Sequence, residues 1–192
     1  MASPQKRPHF KLGRDRIVHE GKFIRTIHRD FIGTQGKPEV WEMIQRKIHG
    51  RIVGVVALTK KNELVMNKIY RVPLKSYILE FPAGLSDKKG ESEISLARRE
   101  LLEETGYAAK KFELLMRGPY NSGLTADELS LYLARNAKKV REPEPENAED
   151  IEVVLIPLAR FYHALTRPQK GLKVDIKNFG VLELLRKKGY NG

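Results

Sequence analysis

Three glutamates, Glu100, Glu103 and Glu104, lie within five residues of one another in a segment with a helical pattern. On a helix they fall within about one turn, on neighbouring parts of one face. Like charges at this spacing repel, by about 0.2–0.5 kcal/mol per pair. A hard divalent cation would relieve the repulsion, because such ions prefer oxygen ligands and often share them with substrate phosphates. The alternative is a solvated acidic helix face, and the glutamates taken alone favour it.

The residues around these glutamates predict where the helix begins and ends. Ser92 is a good N-cap residue, and Ile94, Ala97 and Leu101 supply apolar side chains at helical spacing. Gly106 is suited to end the helix, because glycine readily adopts the left-handed conformation that follows many last turns. We therefore expect a loop that leads into one helix carrying all three carboxylates.

A longer pattern encloses this helix. After Gly84 come six residues, Glu91, seven residues, and then Arg-Glu-Leu-Leu-Glu-Glu-Thr-Gly-Tyr at 99–107. It resembles the Nudix hydrolase box: Gly, five residues, Glu, seven residues, and Arg-Glu-apolar-x-Glu-Glu-x-Gly-apolar. The helical half matches throughout, and its many fixed positions make the match specific. The one departure is an extra loop residue, as though Lys88 or Lys89 were inserted.

The resemblance implies a role for each box residue. Glu100 and Glu104 would bind a divalent cation, Mg²⁺ or alternatively Mn²⁺, with Glu103 as a third ligand or a partner through water. The backbone carbonyl of Ala83 would be a further ligand. An ion pair between Glu91 and Arg99 would fix the loop to the helix.

Four stretches outside the helix resemble the ADP-ribose pyrophosphatase branch of the Nudix family. They are Val40-Trp41-Glu42 followed by Arg46, Tyr70-Arg71-Val72-Pro73, Leu79-Glu80-Phe81-Pro82-Ala83-Gly84, and Ala148-Glu149-Asp150-Ile151-Glu152-Val153. A fifth, Tyr120-Asn121-Ser122-Gly123-Leu124-Thr125, resembles the Ser-Pro-Gly-x-Ser/Thr loop of that branch, with Ser122 in place of the proline. Because that proline marks ADP-ribose specificity, the sequence predicts the reaction better than the substrate.

The same resemblance implies substrate contacts from Arg71, Trp41, Arg46 and Gly84. The planar guanidinium of Arg71 suits a bidentate bond to a phosphate, and the alternative is a surface arginine beside a strand end. Trp41 is the single tryptophan of the chain. It would either stack on an adenine or pack in the core.

A general base is expected in the acidic, proline-containing loop at 141–150. Glu149 is the first candidate and Glu146 the second, because the local alignment can shift between them. Glu103 is a further catalytic candidate.

Together these residues imply metal-dependent hydrolysis of the diphosphate of ADP-ribose or a related nucleoside diphosphate sugar, giving a nucleoside monophosphate and a sugar phosphate. Two alternatives are open. The first is a Nudix enzyme that acts on RNA 5′ ends or dinucleoside polyphosphates. The second is a Nudix-fold sensor that binds a nucleotide without cleaving it, which the presence of every box glutamate disfavours.

Composition narrows the class of protein. A chain of 192 residues with 41% hydrophobic residues fits one compact domain, and it has no apolar run of the ~20 residues that cross a bilayer. The absence of cysteine excludes disulfides and fits a cytoplasmic location. The net charge of +12 comes from dispersed basic residues, so it favours solubility and attraction of anionic substrates over a nucleic-acid interface.

The hydrophobic patterns predict an α/β protein. Strand patterns occur at 16–32 with a turn at 20–22, and at 40–48, 52–58, 64–69, 77–81, 112–116, 128–134 and 151–156, and further helical patterns at 158–166 and 175–188. These elements fit an α/β/α sandwich around a mixed β-sheet, the fold that the Nudix resemblance also implies. We expect residues 1–50 to form a tail and β extension of the same compact unit, and 51–192 to form the Nudix domain. By analogy with the ADP-ribose pyrophosphatases, the extension would help to build a homodimer.

Overall fold

The computed structural model describes residues 9–47 and 50–190. The chain divides into two compact units, one of residues 1–48 and 119–127 and the other of residues 49–118 and 128–192. The first unit thus combines the N-terminal extension with a loop from the middle of the sequence. Residues 1–8 of the predicted tail, and Ile48 at the end of a predicted strand, fall outside the described residues.

The first unit is built on an antiparallel sheet of three strands in the order β1-β2-β3. The strands are β1 Lys11–Glu20, β2 Ile24–Ile32 and β3 Pro38–Arg46. Ile27 is a buried hydrophobic residue of this sheet, whereas Leu12, Ile17 and Phe23 are more than half exposed. A groove of about 590 Å³ runs along all three strands, and none of the predicted site residues lines it.

The second unit is built on a sheet of nine strands. They are β4 Ile52–Thr59, β5 Glu63–Arg71, β6 Ser76–Glu80, β7 Ala83–Leu85, β8 Tyr107–Ala108, β9 Phe112–Pro119, β10 Glu128–Lys139, β11 Ile151–Pro157 and β12 Leu172–Val174. The strand order is β12-β6-β5-β4-β10-β8, and β11 pairs with β5, β7 with β4, and β9 with β10. The sheet is mixed, because β10 runs parallel to β4 and β12 parallel to β6, while β5 runs antiparallel to β4.

Helices cover both faces of this sheet. They are α1 Glu93–Thr105, α2 Leu158–Thr166 and α3 Lys177–Lys187. Successive side chains of a strand point to opposite faces, and β4 shows this directly. Val55 belongs to the cluster that contains Leu101 of α1, whereas Val56 belongs to the cluster that contains Phe161 of α2 and residues of α3. Burial on both faces explains why β4 is almost continuously apolar, and the predicted α/β/α sandwich is confirmed.

Strands β4 and β5 separate after a short stretch of pairing. The two strands form a hairpin, but their direct register is limited to Ala57↔Val65 and Leu58↔Leu64. Beyond that point β5 pairs with β6, through Asn67↔Glu80 and its neighbours, and β4 pairs with β7, through Gly54↔Ala83 and its neighbours. The turn between β6 and β7 thereby reaches the face of the sheet on which α1 lies.

The strands that the sequence did not predict are the shortest ones. β7, β8 and β12 have three, two and three residues, too few to show a hydrophobic period. Among the described helices, none is both long and apolar enough to cross a membrane.

Candidate active site

Helix α1 has the ends that its sequence predicts. The Ser92 hydroxyl accepts a hydrogen bond from the Ser95 amide at 3.2 Å, and Gly106 ends the helix in the left-handed conformation, with φ of 72°. Between these ends, Leu96, Ala97 and Leu101 are buried, so the apolar face of the helix packs on the core. Glu100 and Glu104, one turn apart, lie against Gly84 and Ala83 after the β6–β7 turn.

Glu100 and Glu104 are both buried, at 8% and 2% exposure. One carboxylate oxygen of Glu104, Oε2, accepts two hydrogen bonds, from Asn67 Nδ2 at 2.8 Å and from the Ala83 amide at 3.0 Å. Ala83 therefore touches the predicted metal site through its N–H group. The metal contact predicted for its carbonyl stays a prediction.

Gly84 makes room for Glu100. A Cβ atom added to Gly84 would lie 1.9 Å from the carboxyl carbon of Glu100, far inside van der Waals contact. The glycine of the box is therefore required by the position of a carboxylate. The substrate contact predicted for Gly84 stays a prediction.

The electrostatics of the two buried glutamates are unfavourable. Burial raises the pKa of Glu100 to about 7, an effect that Arg99 opposes and that the negative charges of Glu103 and Glu149 reinforce. Burial also raises the pKa of Glu104 well above its usual value, and the charges of Glu100 and Glu149 raise it further. Ionisation of these two carboxyl groups is therefore unfavourable unless a positive charge is supplied nearby.

Arg99 is shared among four acidic side chains. It pairs with Glu91 at 3.1 Å, with Glu100 at 2.9 Å, and with Asp87 and Glu103 at 3.1 and 3.0 Å. The expected Glu91–Arg99 ion pair is thus present. One guanidinium cannot neutralise four carboxylates, so Arg99 holds the loop to the helix and leaves the site with excess negative charge.

The extra residue of the box loop is accommodated in a turn. The Glu91 amide donates to the Lys88 carbonyl at 3.2 Å, and Gly90 adopts a φ of 81°, which glycine tolerates best. Because the turn absorbs the additional residue, Glu91 still reaches Arg99.

Glu103 lies differently from the other two glutamates. Its carboxylate bonds to Arg99 and its side chain is 39% exposed.

Within residues 9–47 and 50–190, no group of three or more histidine, aspartate or glutamate side chains is arranged to hold a metal ion. The donor set nevertheless suits one: two buried carboxylates one turn apart, at a point where Gly84 leaves space and Arg99 leaves net negative charge.

The loop at 141–150 is fixed at both ends. On one side, the Glu144 amide donates to the Glu103 carbonyl at 2.7 Å. On the other, the Tyr70 amide donates to the Asp150 carbonyl at 3.0 Å, and the Tyr77 hydroxyl donates to the Asp150 carboxylate at 2.5 Å. The loop is therefore held beside α1 and the β5–β6 pair.

This anchored loop distinguishes between the two candidate bases. The Glu149 carboxylate accepts a hydrogen bond from the Glu146 amide at 2.9 Å, and its charge raises the pKa values of both Glu100 and Glu104. Glu146 is not among the largest causes of either shift. Of the two candidates, Glu149 is thus the one whose charge acts more strongly on the buried pair.

Arg71 is engaged by a neighbour. Its Nε donates to Glu80 Oε1 at 2.7 Å, and a terminal nitrogen also contacts that oxygen. Burial raises the pKa of Glu80, although Arg71 acts against this rise. Arg71 is 43% exposed on its side chain, so one edge of the guanidinium is held while part of it faces solvent. Its predicted phosphate contact stays a prediction.

The first unit holds the remaining predicted residues, Trp41 and Arg46. Trp41 is 49% exposed, its indole N–H donates to the Gly123 carbonyl at 3.1 Å, and its ring lies near that of Phe31. Arg46 bonds to Asp127 at 3.0 Å and to the Tyr120 hydroxyl at 3.2 Å. Trp41 is thus not a core residue, and both side chains are oriented by the 119–127 loop.

Asn67 is the site residue that sequence reasoning missed. It is 1% exposed and directly bonded to Glu104. The available signal was weak: one amide side chain directly after the apolar run Leu64-Val65-Met66 of a buried strand. Asp127, another residue that sequence reasoning did not assign to the site, pairs with Arg46.

Comparisons with known proteins agree with this geometry. The family model described as the NUDIX domain matches residues 48–174. A methanol dehydrogenase activator of Bacillus methanolicus is 39% identical over 141 residues, 73% of this chain and 74% of the relative. An ADP-ribose pyrophosphatase of Bacillus subtilis is 32% identical over 142 residues, 73% and 75% of the two chains. An ADP-sugar pyrophosphatase of Mus musculus is 31% identical over 156 residues, 74% and 71% of the two chains.

A solved structure titled as an ADP compounds hydrolase superposes with a TM-score of 0.79, covering 98% of this chain and 100% of that one, at 23% identity. At that identity the match shows the fold, and it agrees with the predicted one. The relatives confirm the predicted resemblance to ADP-ribose pyrophosphatases. The chain belongs to the Nudix family.

Proposed function

We propose that this Nudix pyrophosphatase hydrolyses the diphosphate linkage of ADP-ribose or a closely related nucleoside diphosphate sugar, with a divalent cation. The observation that carries the proposal is the pair of buried carboxylates, Glu100 and Glu104: Glu100 shares Arg99 with three other acids, and Glu104 has no charged donor among its hydrogen-bond partners. A divalent cation would supply the positive charge that this pair lacks. The phosphate oxygens of a substrate would then be further ligands to the cation. The ADP-ribose and ADP-sugar pyrophosphatases among the relatives support this substrate class.

The residues present fit a divalent cation, Mg²⁺ or alternatively Mn²⁺. Glu100 and Glu104 would hold it, with Glu103 joining if its bond to Arg99 is exchanged. When bound, such a cation supplies positive charge against the diphosphate and lowers the pKa of water.

The chain's own residues then have distinct tasks. Glu149 accepts the proton of the water that attacks phosphorus, as the bond between that phosphorus and the bridging oxygen breaks. Arg71 stabilises the charge on the second phosphate through the part of its guanidinium that faces solvent. With ADP-ribose, the products are AMP and ribose 5-phosphate. Trp41 and Arg46 are proposed to contact the nucleotide, and a homodimer and a cytoplasmic location stay predictions.

The test combines a substrate panel with two matched variants. ADP-ribose, GDP-mannose, diadenosine polyphosphates and a 5′-triphosphorylated RNA are incubated with Mg²⁺ or Mn²⁺, and the products are separated by chromatography. We expect release of AMP from ADP-ribose as the fastest reaction. Glu149→Gln should lower this rate by roughly 10²-fold or more, the usual range for a general base, whereas Glu146→Gln should leave it nearly unchanged.

Three results would contradict the proposal or a part of it. Faster cleavage of the RNA or of diadenosine polyphosphates would assign the enzyme to a different substrate class, with the same pyrophosphate hydrolysis. Binding of ADP-ribose without release of AMP under any metal condition would make the protein a sensor. Equal losses in Glu149→Gln and Glu146→Gln would remove the assignment of the base.

A further inference from the structure

Asn67 is an unusual residue for its position. It lies in β5 among apolar side chains and is 1% exposed, and asparagine is seldom buried to this extent. Its amide nitrogen donates to Glu104 Oε2 at 2.8 Å. Its carbonyl oxygen is buried and has no hydrogen-bond partner among the described residues.

An unpaired buried oxygen destabilises a protein and calls for an explanation. The opposite orientation of the amide would set the Asn67 oxygen against the Glu104 carboxylate, so the nitrogen is the group that must face it. The unpaired oxygen is then the consequence of placing an N–H donor beside Glu104. If the residue at this position had only a structural role, an apolar side chain would give a more stable protein.

The two donors to Glu104 come from different strands and converge on the same oxygen. Asn67 belongs to β5, and the Ala83 amide, at 3.0 Å, belongs to β7. With Oε2 held on both sides, the carboxylate cannot rotate, and Oε1 is left as the oxygen available to a cation. Ala83 supplies its N–H from the backbone, so Asn67 is the donor that a change of side chain removes without altering the backbone.

The geometry points to Asn67 as a positioning residue that orients Glu104 for the divalent cation. The inference rests on the proposed function, because it takes Glu104 as a metal ligand. Partners of metal ligands act in this way in other proteins, and their loss usually weakens metal binding by about 10–100-fold. Asn67 does not touch substrate, so its effect must pass through Glu104.

The primary measurement is Mn²⁺ affinity without nucleotide, from the electron paramagnetic resonance signal of free Mn²⁺. Asn67→Leu removes the donor at similar volume and should weaken Mn²⁺ binding by about 10-fold or more. Asn67→Ser, with a side chain too short to make the same bond, should weaken it in the same direction, so that the test does not depend on one variant folding. Turnover in both variants should be partly recovered at high Mn²⁺, with little change in the KM for nucleotide.

Asn178 provides the matched control. It too is 1% exposed, and its amide nitrogen donates to the Leu79 carbonyl at 3.0 Å. Asn178→Leu should lower thermal stability but leave Mn²⁺ affinity within about 2-fold of wild type, because its partner is not a site residue. A loss of Mn²⁺ affinity in this control equal to that of Asn67→Leu would overturn the inference.

A double variant separates action through Glu104 from any other action. In a Glu104→Gln background, Asn67→Leu should cause no further loss of Mn²⁺ affinity, because the oriented ligand is already absent. The same fold-loss in both backgrounds, or wild-type affinity in Asn67→Leu, would overturn the inference even if wild type cleaves ADP-ribose. Conversely, weakened Mn²⁺ binding in Asn67→Leu together with a wild type that cleaves no diphosphate would uphold the inference and reject the proposed function.

Discussion

Glu93, at the first residue of α1, and Glu104, near its last, are both largely withdrawn from water, yet their surroundings differ. Glu93 accepts hydrogen bonds from Arg51 at 3.0 Å, Arg117 at 2.6 Å and the Tyr132 hydroxyl at 2.7 Å. Burial alone would raise its pKa, but these bonds outweigh burial and lower it to about 2. The positive end of the helix dipole acts in the same direction.

Glu104 has uncharged donors only, Asn67 and the Ala83 amide. It stands at the negative end of the same helix dipole, beside Glu100, and burial raises its pKa. The protein therefore gives Glu93 two cationic donors, and among the hydrogen-bond partners of Glu104 there is none. A buried carboxylate without a charged donor is a candidate for ligand binding, and this contrast supports the proposed cation site at Glu104.

Glu104→Gln gives the largest expected effect. We expect turnover of ADP-ribose to fall on the order of 10³-fold, because a carboxamide is a poor ligand for a hard cation and adds no negative charge. The metal-free variant should be at least as stable as wild type at pH 8. The pKa of Glu104 is higher in the folded state than the ordinary value of 4.5 in the unfolded state. The free energy of unfolding therefore falls as the pH rises above 4.5. Glutamine does not ionise, so the variant does not lose this stability.

Steady-state kinetics with Mg²⁺ and thermal unfolding in a chelator check both parts. Near-normal turnover would reject the metal-ligand role. Marked destabilisation of the metal-free variant would show that Glu104 resembles Glu93, and the contrast between the two ends of α1 would fail.

Gly84→Ala gives a smaller effect by displacing the other carboxylate. The added Cβ would lie 1.9 Å from the Glu100 carboxyl carbon, and the end of a glutamate side chain can rotate away. Activity should fall by roughly 10²-fold, as displacements of about 1 Å commonly cause, while stability changes little. Gly118→Ala is the control, since no atom lies within 4 Å of its added Cβ.

Kinetics and urea unfolding of both variants test this. Equal activity in Gly84→Ala and Gly118→Ala would mean that the position of Glu100 does not matter. A collapse of stability confined to Gly84→Ala would assign the glycine to the fold rather than to the site.

The two ends of α1 also differ in how far the sequence predicted them. The Glu100–Glu104 spacing and the Ser92 and Gly106 ends are local, so helical periodicity sufficed. The partners of Glu93 were not predicted, because Arg51 precedes β4, Arg117 lies in β9 and Tyr132 lies in β10, three segments that are far apart in the sequence. A sequence pattern does not state which strands are neighbours.

The same limit explains why Asn67 was missed. Its contact with Glu104 depends on the separation of β4 from β5, which lets the β6–β7 turn approach α1. The sandwich was predictable, because its strands and helices are marked by their own hydrophobic periods, whereas the partners of each buried carboxylate arise from sheet order. Arg71 shows a further limit: the sequence predicts its chemistry, but its bond to Glu80 is visible only in the structure.

Glu93→Gln gives the smallest expected effect, and it acts on stability. The carboxamide keeps the shape but loses the charge that Arg51 and Arg117 contact. With a side chain 21% exposed, solvent weakens these bonds, so we expect the free energy of unfolding at pH 7 to fall by ~1–2 kcal/mol. Activity should stay close to wild type, because none of the proposed site residues bonds to Glu93.

The pH dependence of this loss provides its sharpest test. Because the folded-state pKa of Glu93 is lowered to about 2 from 4.5, its stabilisation is full above pH 4.5 and disappears as pH falls towards 2. Urea unfolding of wild type and Glu93→Gln between pH 7 and pH 2.5 should therefore give curves that converge on acidification. Glu128→Gln, which removes another partner of Arg51 with 42% side-chain exposure, should cost only a few tenths of a kcal/mol. A loss in Glu93→Gln that is independent of pH would come from packing rather than charge, and the two ends of α1 would then not differ in the way their pKa shifts indicate.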